Sequence, residues 1–441
     1  MNLFRRSLLI LLSLMLFGSC ISPYDFETIG YERSLVIDAS LTNETTAHPV
    51  RLSYTFAIDT SRNDPAERAT VAFVDGSGNR TLLPEKSPGL YLTDSSFAGI
   101  PGMTYTLEIS LPDGSEFRSS PEVMPIPVPI DSIYGRYLTL PTETDNTNMT
   151  GVQIFLDAHS NAATPQNFRY TYRESFETPV PYPSRYDWTG SGASFRIFAR
   201  DTPLGPCYRK GASSTTMVAT TRGLSDNRIL EFPIRFINQS GQELAYRYII
   251  EVSQYTISNE AHEFFRYLKE SNEGSGSLSD RQLGSINGNI YDINDPTIPV
   301  LGYFEVAGVA KTKRIFSRHQ FAEDGITTEE WICLTPDAGQ EFGLGCEYFD
   351  QRAYQIRFRD EKLVIDVRTG DTTLVEDVYY DFSGLNAVLN DSSTATRQAC
   401  GYTNRIVDIP APGDYAILAH EACSDCTLYG TLTKPDIWND Q

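Results

Sequence analysis

Cysteines and histidines carry the chemistry that depends most on neighbours, and this chain has seven and five of them. Cys423-Ser424-Asp425-Cys426 is a C-x-x-C pair. In a redox enzyme such a pair opens a helix after a buried strand, where its thiolate is stabilised. Here it stands between Tyr415-Ala416-Ile417-Leu418 and Tyr429, which read as strands, so the redox setting is missing. A zinc ion takes thiolates and imidazoles in a tetrahedron, and Cys400, His420, Cys423 and Cys426 offer such a set. The plainer chemistry is oxidation. Cys207, Cys333, Cys346, Cys400, Cys423 and Cys426 are an even set of candidate disulfide cysteines, and the spacing does not choose their pairing. His262-Glu263-Phe264-Phe265-Arg266 begins like a zincin helix, but Arg266 stands where a second ligand is needed. It reads as a helix with an exposed His262. Glu329-Glu330 has the residue types for glycoside chemistry, but 57 acids produce such pairs by chance. Asp292, Asn294 and Asp295 gather oxygens without the turn glycine and terminal glutamate of an EF-hand loop. No Gly-x-Ser-x-Gly elbow and no phosphate loop occurs. The expectation is no catalytic residue, no metal, no cofactor and no enzyme.

The remaining cysteine has a different setting. Arg5 and Arg6 form a positive start, Leu8 to Phe17 a short apolar run, and Phe17-Gly18-Ser19-Cys20 follows. That order resembles a bacterial lipoprotein signal peptide ending in a lipobox, with Phe17 in place of the usual leucine. The thiol of Cys20 would take a diacylglycerol before cleavage, and the new amine is often acylated too. Two or three chains anchor stably where one does not. Ile21 is not the aspartate that retains lipoproteins in the inner membrane of many proteobacteria. Outer-membrane placement is therefore expected, with the acids Asp25 and Glu27 favouring surface display.

Removal of residues 1–19 takes the formal charge from −21 to −23, because the leader holds two arginines and no acid. A chain this acidic, without a basic tract, is a poor nucleic-acid binder. Nothing after residue 20 is apolar for long enough to cross a bilayer as a helix. Tyr (25) and Phe (23) outnumber Met (6), which favours strands.

Residues 20–34 read as a lipidated tether. From residue 35 apolar positions alternate: Leu35, Ile37, Ala39 and Leu41; then Val50, Leu52, Tyr54 and Phe56; then Val71 and Phe73. Turns at Asp75-Gly76 and Asp113-Gly114 punctuate them. Residues 35–120 therefore predict an immunoglobulin-like or transthyretin-like β-sandwich. Proline at every second position from Pro125 marks 121–129 as a linker. Residues 130–441 predict a larger β-rich domain with one or few helices. Val152, Ile154 and Leu156 alternate, as do Phe168, Tyr170 and Tyr172. Tyr246, Tyr248, Ile250 and Val252 predict a strand with one buried and one wet face. The spacing of Ala261, Phe264, Phe265 and Leu268 predicts a helix over 258–271, capped by Ser258. Residues 178–197 read as a long loop whose Tyr182, Tyr186, Trp188 and Phe195 either face a ligand or tuck over the core. Residues 323–350 and 359–376 are acid-rich and read as loops or an insertion.

Several segments, in order, resemble one family: Bacteroidota lipoproteins grouped as domain of unknown function 4249. They include Cys20 with Tyr24-Asp25-Phe26-Glu27, Leu35-Val36-Ile37-Asp38-Ala39, Gly102 to Leu107, Gly205-Pro206-Cys207-Tyr208, and Glu231-Phe232-Pro233-Ile234. Ser258 to Leu268, Asn287-Gly288-Asn289-Ile290, Pro299 to Phe304, and Cys423 to Trp438 continue the series. Genes of that family commonly lie beside TonB-dependent outer-membrane transporters. The resemblance implies an accessory, ligand-binding lipoprotein of a nutrient importer, with the transporter as partner and no catalytic residues. Two other readings stand beside it: a surface adhesin or assembly protein, and, last, an enzyme acting on surface polymers. Within the matching segments, Gly302 reads as a point of close backbone approach, and Trp438 as packing the tail against a domain.

Overall fold

The computed structural model describes residues 33–55, 64–141, 148–178, 180, 183–189, 196–202, 204–273, 288–326, 425–428 and 430–439, with the strands Glu361–Ile365, Thr372–Glu376, Asn404–Asp408 and Ile417–His420. The leader, Cys20, Phe56, Tyr182, Phe195, Asn287, Glu329-Glu330, Cys333, Cys346, Cys400 and Cys423 lie outside these residues.

The architecture is mainly β, built on one long sheet. Its strands run in the order Cys207–Ala212, Asn167–Thr178, Arg247–Ile257, Val300–Ser317, Leu35–Thr42, Pro49–Tyr54, Leu90–Leu92 and Glu85–Ser87. Neighbours in this order are antiparallel except at the centre. There Leu35–Thr42 pairs in parallel with Val300–Ser317, from Leu35 opposite Val300 to Thr42 opposite Ala307. Strand side chains alternate between faces, so each strand supplies two rows.

One row meets two smaller sheets. The first contains Ile290–Asp292, Glu116–Ser119, Thr104–Ser110, Thr70–Asp75 and Arg80–Leu83, with Glu122–Val123 added to Thr104–Ser110. It encloses a core with the N-terminal half of the long sheet, where Ile37, Leu41 and Leu52 meet Phe73, Leu107 and Ile109. Phe304 joins that core and stacks on Phe73 at 5.3 Å between ring centroids. The second small sheet is Ile130–Pro141, Asn148–His159 and Arg228–Asn238. Its Ile154 and Leu156 pack with Phe168, Tyr170, Tyr248, Ile250 and Val252. Residues 35–120 thus contribute most of the first core, and strands from 290–306 complete it.

The proline run crosses the long sheet between the two small ones. Met124 is buried in the first core and Val128 in the second. The Val128 amide donates to Thr256 Oγ1 at 3.2 Å, and Gln254 Nε2 donates to the Val128 carbonyl at 2.8 Å. Gly308 leaves room for the passage, since a Cβ there would lie 2.3 Å from the Pro125 carbonyl oxygen. The run is extended, as proline geometry requires, and it is docked along its length.

The other row of the long sheet is covered at two places. The helix Asn259–Glu273 lies over Tyr255, Ile257, Tyr303 and Ala307 with Ala261, Phe264 and Phe265. Ser258 caps it, accepting the Ala261 amide on Oγ at 3.1 Å. The chain's end covers the rest: Ile437 and Trp438 bury Ile249 and pack on Ile315. That cover corrects the wet face expected for the strand carrying Tyr248. Tyr246 lies outside the strand and is exposed, while Ile249, Glu251 and Ser253 are buried on the second face. The cover of Ile249 comes from more than 170 residues downstream, beyond the reach of local periodicity. The acid-rich 359–376 segment, expected as loops or an insertion, holds an antiparallel hairpin of Glu361–Ile365 with Thr372–Glu376. In the 178–197 segment and just beyond it, Tyr186–Thr189 pairs with Arg196–Ala199 as a second hairpin.

Candidate functional site

Two of the candidate cysteines meet. Cys207 begins an edge strand of the long sheet, and its sulfur is joined to Cys426 in a disulfide. The thiolate needed for zinc or redox chemistry at Cys426 is therefore taken up, which removes the Cys400, His420, Cys423, Cys426 set and the C-x-x-C pair as drawn from the sequence. Downstream of the disulfide, Tyr208 and Thr431 exchange backbone hydrogen bonds of 2.8 and 3.0 Å. Trp438 Nε1 donates to Ser175 Oγ at 3.0 Å, and Asp436 pairs with Arg173 at 2.7 Å. The Arg247 guanidinium lies 5.4 Å from the Trp438 ring centroid. The tail packing read at Trp438 is present.

Strand alternation places a second set of polar groups inside the long sheet. Arg169 makes two 2.7 Å hydrogen bonds to Glu305 across the strand between them, with side chains 16% and 5% exposed. Burial by itself would lower the Arg169 pKa, and the Glu305 carboxylate more than reverses that, so the net direction is upward. The ring of Tyr255 lies under the same guanidinium at 4.0 Å. Glu174 accepts from Arg235 at 3.1 Å and from the Tyr248 hydroxyl at 2.5 Å. Glu177 accepts from Arg247, and Glu251 from Arg173. Glu122 accepts the Tyr303 hydroxyl at 2.7 Å and the Asn289 amide at 3.1 Å, while Asn289 Oδ1 accepts the Phe304 amide. Burial, then Glu122, drives the Tyr303 pKa well up, so it stays a neutral donor. Arg173–Glu251, Glu177–Arg247 and Glu174–Tyr248 join the neighbouring strands Asn167–Thr178 and Arg247–Ile257, while Arg169–Glu305, Glu174–Arg235 and Glu122–Tyr303 tie strands that are not paired with each other. Sequence reasoning missed them because each pair is split by tens to hundreds of residues; the signal was charge inside FRYTYRESFET, within the Asn167–Thr178 strand.

Among the described residues, no histidine joins a cluster that could hold a metal ion. His262 is buried, which corrects its expected exposure: the helix packs on Asn167–Thr178 and Met217–Thr220, and Arg222 closes its first turn by donating to Asn259 at 2.7 Å. Burial lowers its pKa. His48 is also buried, and burial again lowers its pKa. Its Nδ1 accepts the Thr42 amide at 3.4 Å and its Nε2 faces the Glu44 carbonyl at 3.1 Å, which fixes the neutral Nε2–H tautomer. Both folded pKa values lie below the unfolded value of about 6.5. The unfolded chain then binds more protons, so stability is full above about pH 6.5 and falls as pH drops through the folded pKa values. A His48→Gln chain is expected to show a shallower acid loss below about pH 6.5 than the parent, read from urea midpoints. Equal slopes would show that His48 does not contribute.

Asp292 spends one oxygen on the Asn294 and Asp295 amides at 2.8 and 3.0 Å, and Asp295 accepts from Thr297. The cluster is turn chemistry. Among the described residues, no group of three His, Cys, Asp or Glu side chains is placed to hold a metal ion, and no helix is long and apolar enough to cross a membrane.

A family model described as a domain of unknown function (DUF4249) matches residues 21–313. No curated protein matches the chain. A solved structure named as a candidate membrane anchored protein from Corynebacterium diphtheriae shares 15% identity over 62% of this chain and 61% of that one, with a TM-score of 0.14. The chain thus spans less than two thirds of that structure, and at that score the likeness fixes neither fold nor function.

Proposed function

This chain belongs to the DUF4249 family, and from that premise we propose that it is a lipoprotein of the outer membrane that serves a TonB-dependent transporter as an accessory ligand-binding partner. The observation that carries the anchor is the placement of Cys20. It closes an apolar leader with Gly18-Ser19 and stands fifteen residues before the first strand at Leu35. A tether of that length, fully extended, spans up to about 50 Å, enough to hold a folded domain at a membrane surface. The chain acts as a binding module in this reading: its buried charged groups are spent on holding strands together, which suits a rigid scaffold. The transporter partnership rests on the family resemblance alone.

The test is a mild-detergent pull-down of the tagged, lipidated chain from its own membrane, read by mass spectrometry. Stoichiometric recovery of a TonB-dependent transporter is the expected result. Recovery of the lipoprotein alone, under conditions that keep other transporter complexes whole, sinks the partnership and leaves the adhesin reading. A Cys20→Ser chain separates the two halves of the proposal. It is expected to lose acylation, seen as the missing lipid mass, and to leave the outer-membrane fraction. Retention there with no lipid would refute the anchor.

A further inference from the structure

The family match ends at residue 313, yet the long sheet is finished by residues 425–428 and 430–439. Those residues are fixed at both ends of a short path. At one end Cys426 is bonded to Cys207 on the edge strand. At the other Trp438 and Ile437 are 3% exposed over Ile249, with Trp438 hydrogen-bonded to Ser175 and Asp436 paired to Arg173. Among the described residues between them, Thr431 bonds to the sheet edge through Tyr208. Leu428 and Leu432 are exposed, so little apolar area holds the middle. The Asp436–Arg173 pair is largely exposed and is screened by solvent. The noncovalent hold at the described residues includes the two Tyr208–Thr431 backbone hydrogen bonds and a few side chains at the C-terminal end, and the covalent link is what keeps their local concentration high.

We propose that this C-terminal segment is a strap, closed over the Ile249 and Ile315 floor by the Cys207–Cys426 disulfide and opened by reduction. In the opening step an external dithiol reduces the bond: two electrons and two protons pass to Cys207 and Cys426, giving two thiols, and the dithiol becomes a disulfide. The strap closes only in an oxidising compartment. In a reducing one the same chain carries an open apolar floor beside Tyr208, whose ring centroid lies 6.0 Å from that of Trp438 in the closed form.

Hydrogen exchange of the full chain, read by mass spectrometry, tests this. The backbone amides of Tyr208 and Thr431 report the strap, and those of Leu35–Thr42 report the rest of the fold. Oxidised parent is compared with a Cys207→Ser/Cys426→Ser chain and with parent reduced by dithiothreitol, which needs no substitution. The expected result is exchange at Tyr208 and Thr431 faster by at least about tenfold in both, with Leu35–Thr42 unchanged. Unchanged protection at Tyr208 and Thr431 would overturn the proposal, because the side chains alone would then hold the segment. Faster exchange throughout, Leu35–Thr42 included, would also overturn it, because the bond would then be holding the whole fold.

Discussion

A Gly302→Ala chain is expected to lose about 3–5 kcal/mol of stability, among the largest effects of any single methyl in this protein. Gly302 has a φ of +109°, where a side chain is strained, and a Cβ there would lie 1.8 Å from the Ile37 carbonyl oxygen. That oxygen belongs to the partner strand in the central parallel pair, so it cannot swing aside as a side chain would. Gly288 approaches from the other direction, and its own Cβ would lie 1.7 Å from the Gly302 carbonyl oxygen. Three backbones are layered at this point. Separating them moves Phe304 off Phe73 and opens the first core. Gly102→Ala is the control. It shares a positive φ, +85°, but nothing lies within 4 Å of the added methyl, so only strain of about 1 kcal/mol is expected. Urea midpoints at constant slope measure the difference. Two chains within about 1 kcal/mol of each other would show that the layered contact carries no special weight.

Arg169→Met is expected to cost about 3–5 kcal/mol, because it leaves Glu305 charged, buried and without its cation. Ser40 Oγ, 3.4 Å from Glu305, cannot replace a guanidinium that made two short bonds. The double chain Arg169→Met/Glu305→Met is expected to recover most of that loss. Replacing both ions by apolar groups of similar size removes the desolvation cost along with the attraction. Tyr255 and Phe265, which flank the guanidinium at 4.0 and 5.0 Å, offer the new methionine an apolar neighbourhood. A double-mutant cycle reads the coupling directly. Additive losses would show that Arg169 acts through its packing on the two rings and not through Glu305.

The elements that obey local rules were legible in the sequence. Leu35, Ile37, Ala39 and Leu41 alternate and are all buried. Ser258 and the apolar stripe from Ala261 located the helix, because capping and a 3.6-residue period are short-range signals. Gly302 was legible as a close approach, though not its partner, Ile37. What failed was everything decided by a distant segment. His262 is buried by strands that precede the helix by about forty residues and more, and Ile249 by a tail that follows it by nearly two hundred. Neither leaves a mark in the residues around it. The pairing of Cys207 with Cys426 spans 219 residues and was open in the sequence for the same reason. Of the candidate site, Cys20 rests wholly on its leader, while the Arg–Glu pairs became visible only when three strands were laid side by side.

The central parallel pair also dictates when the protein can fold. Leu35 and Val300 are neighbours in space but 265 positions apart along the chain. A ribosome making five to twenty residues per second, roughly, delivers the first of these strands well before its mate exists. During that interval the earliest strand has an unpaired edge next to the Phe73 core, which waits for Phe304. Such long-range closure is slow, and an unfinished edge invites pairing with the wrong chain. A protein with this topology gains from being kept extended until its last strands arrive.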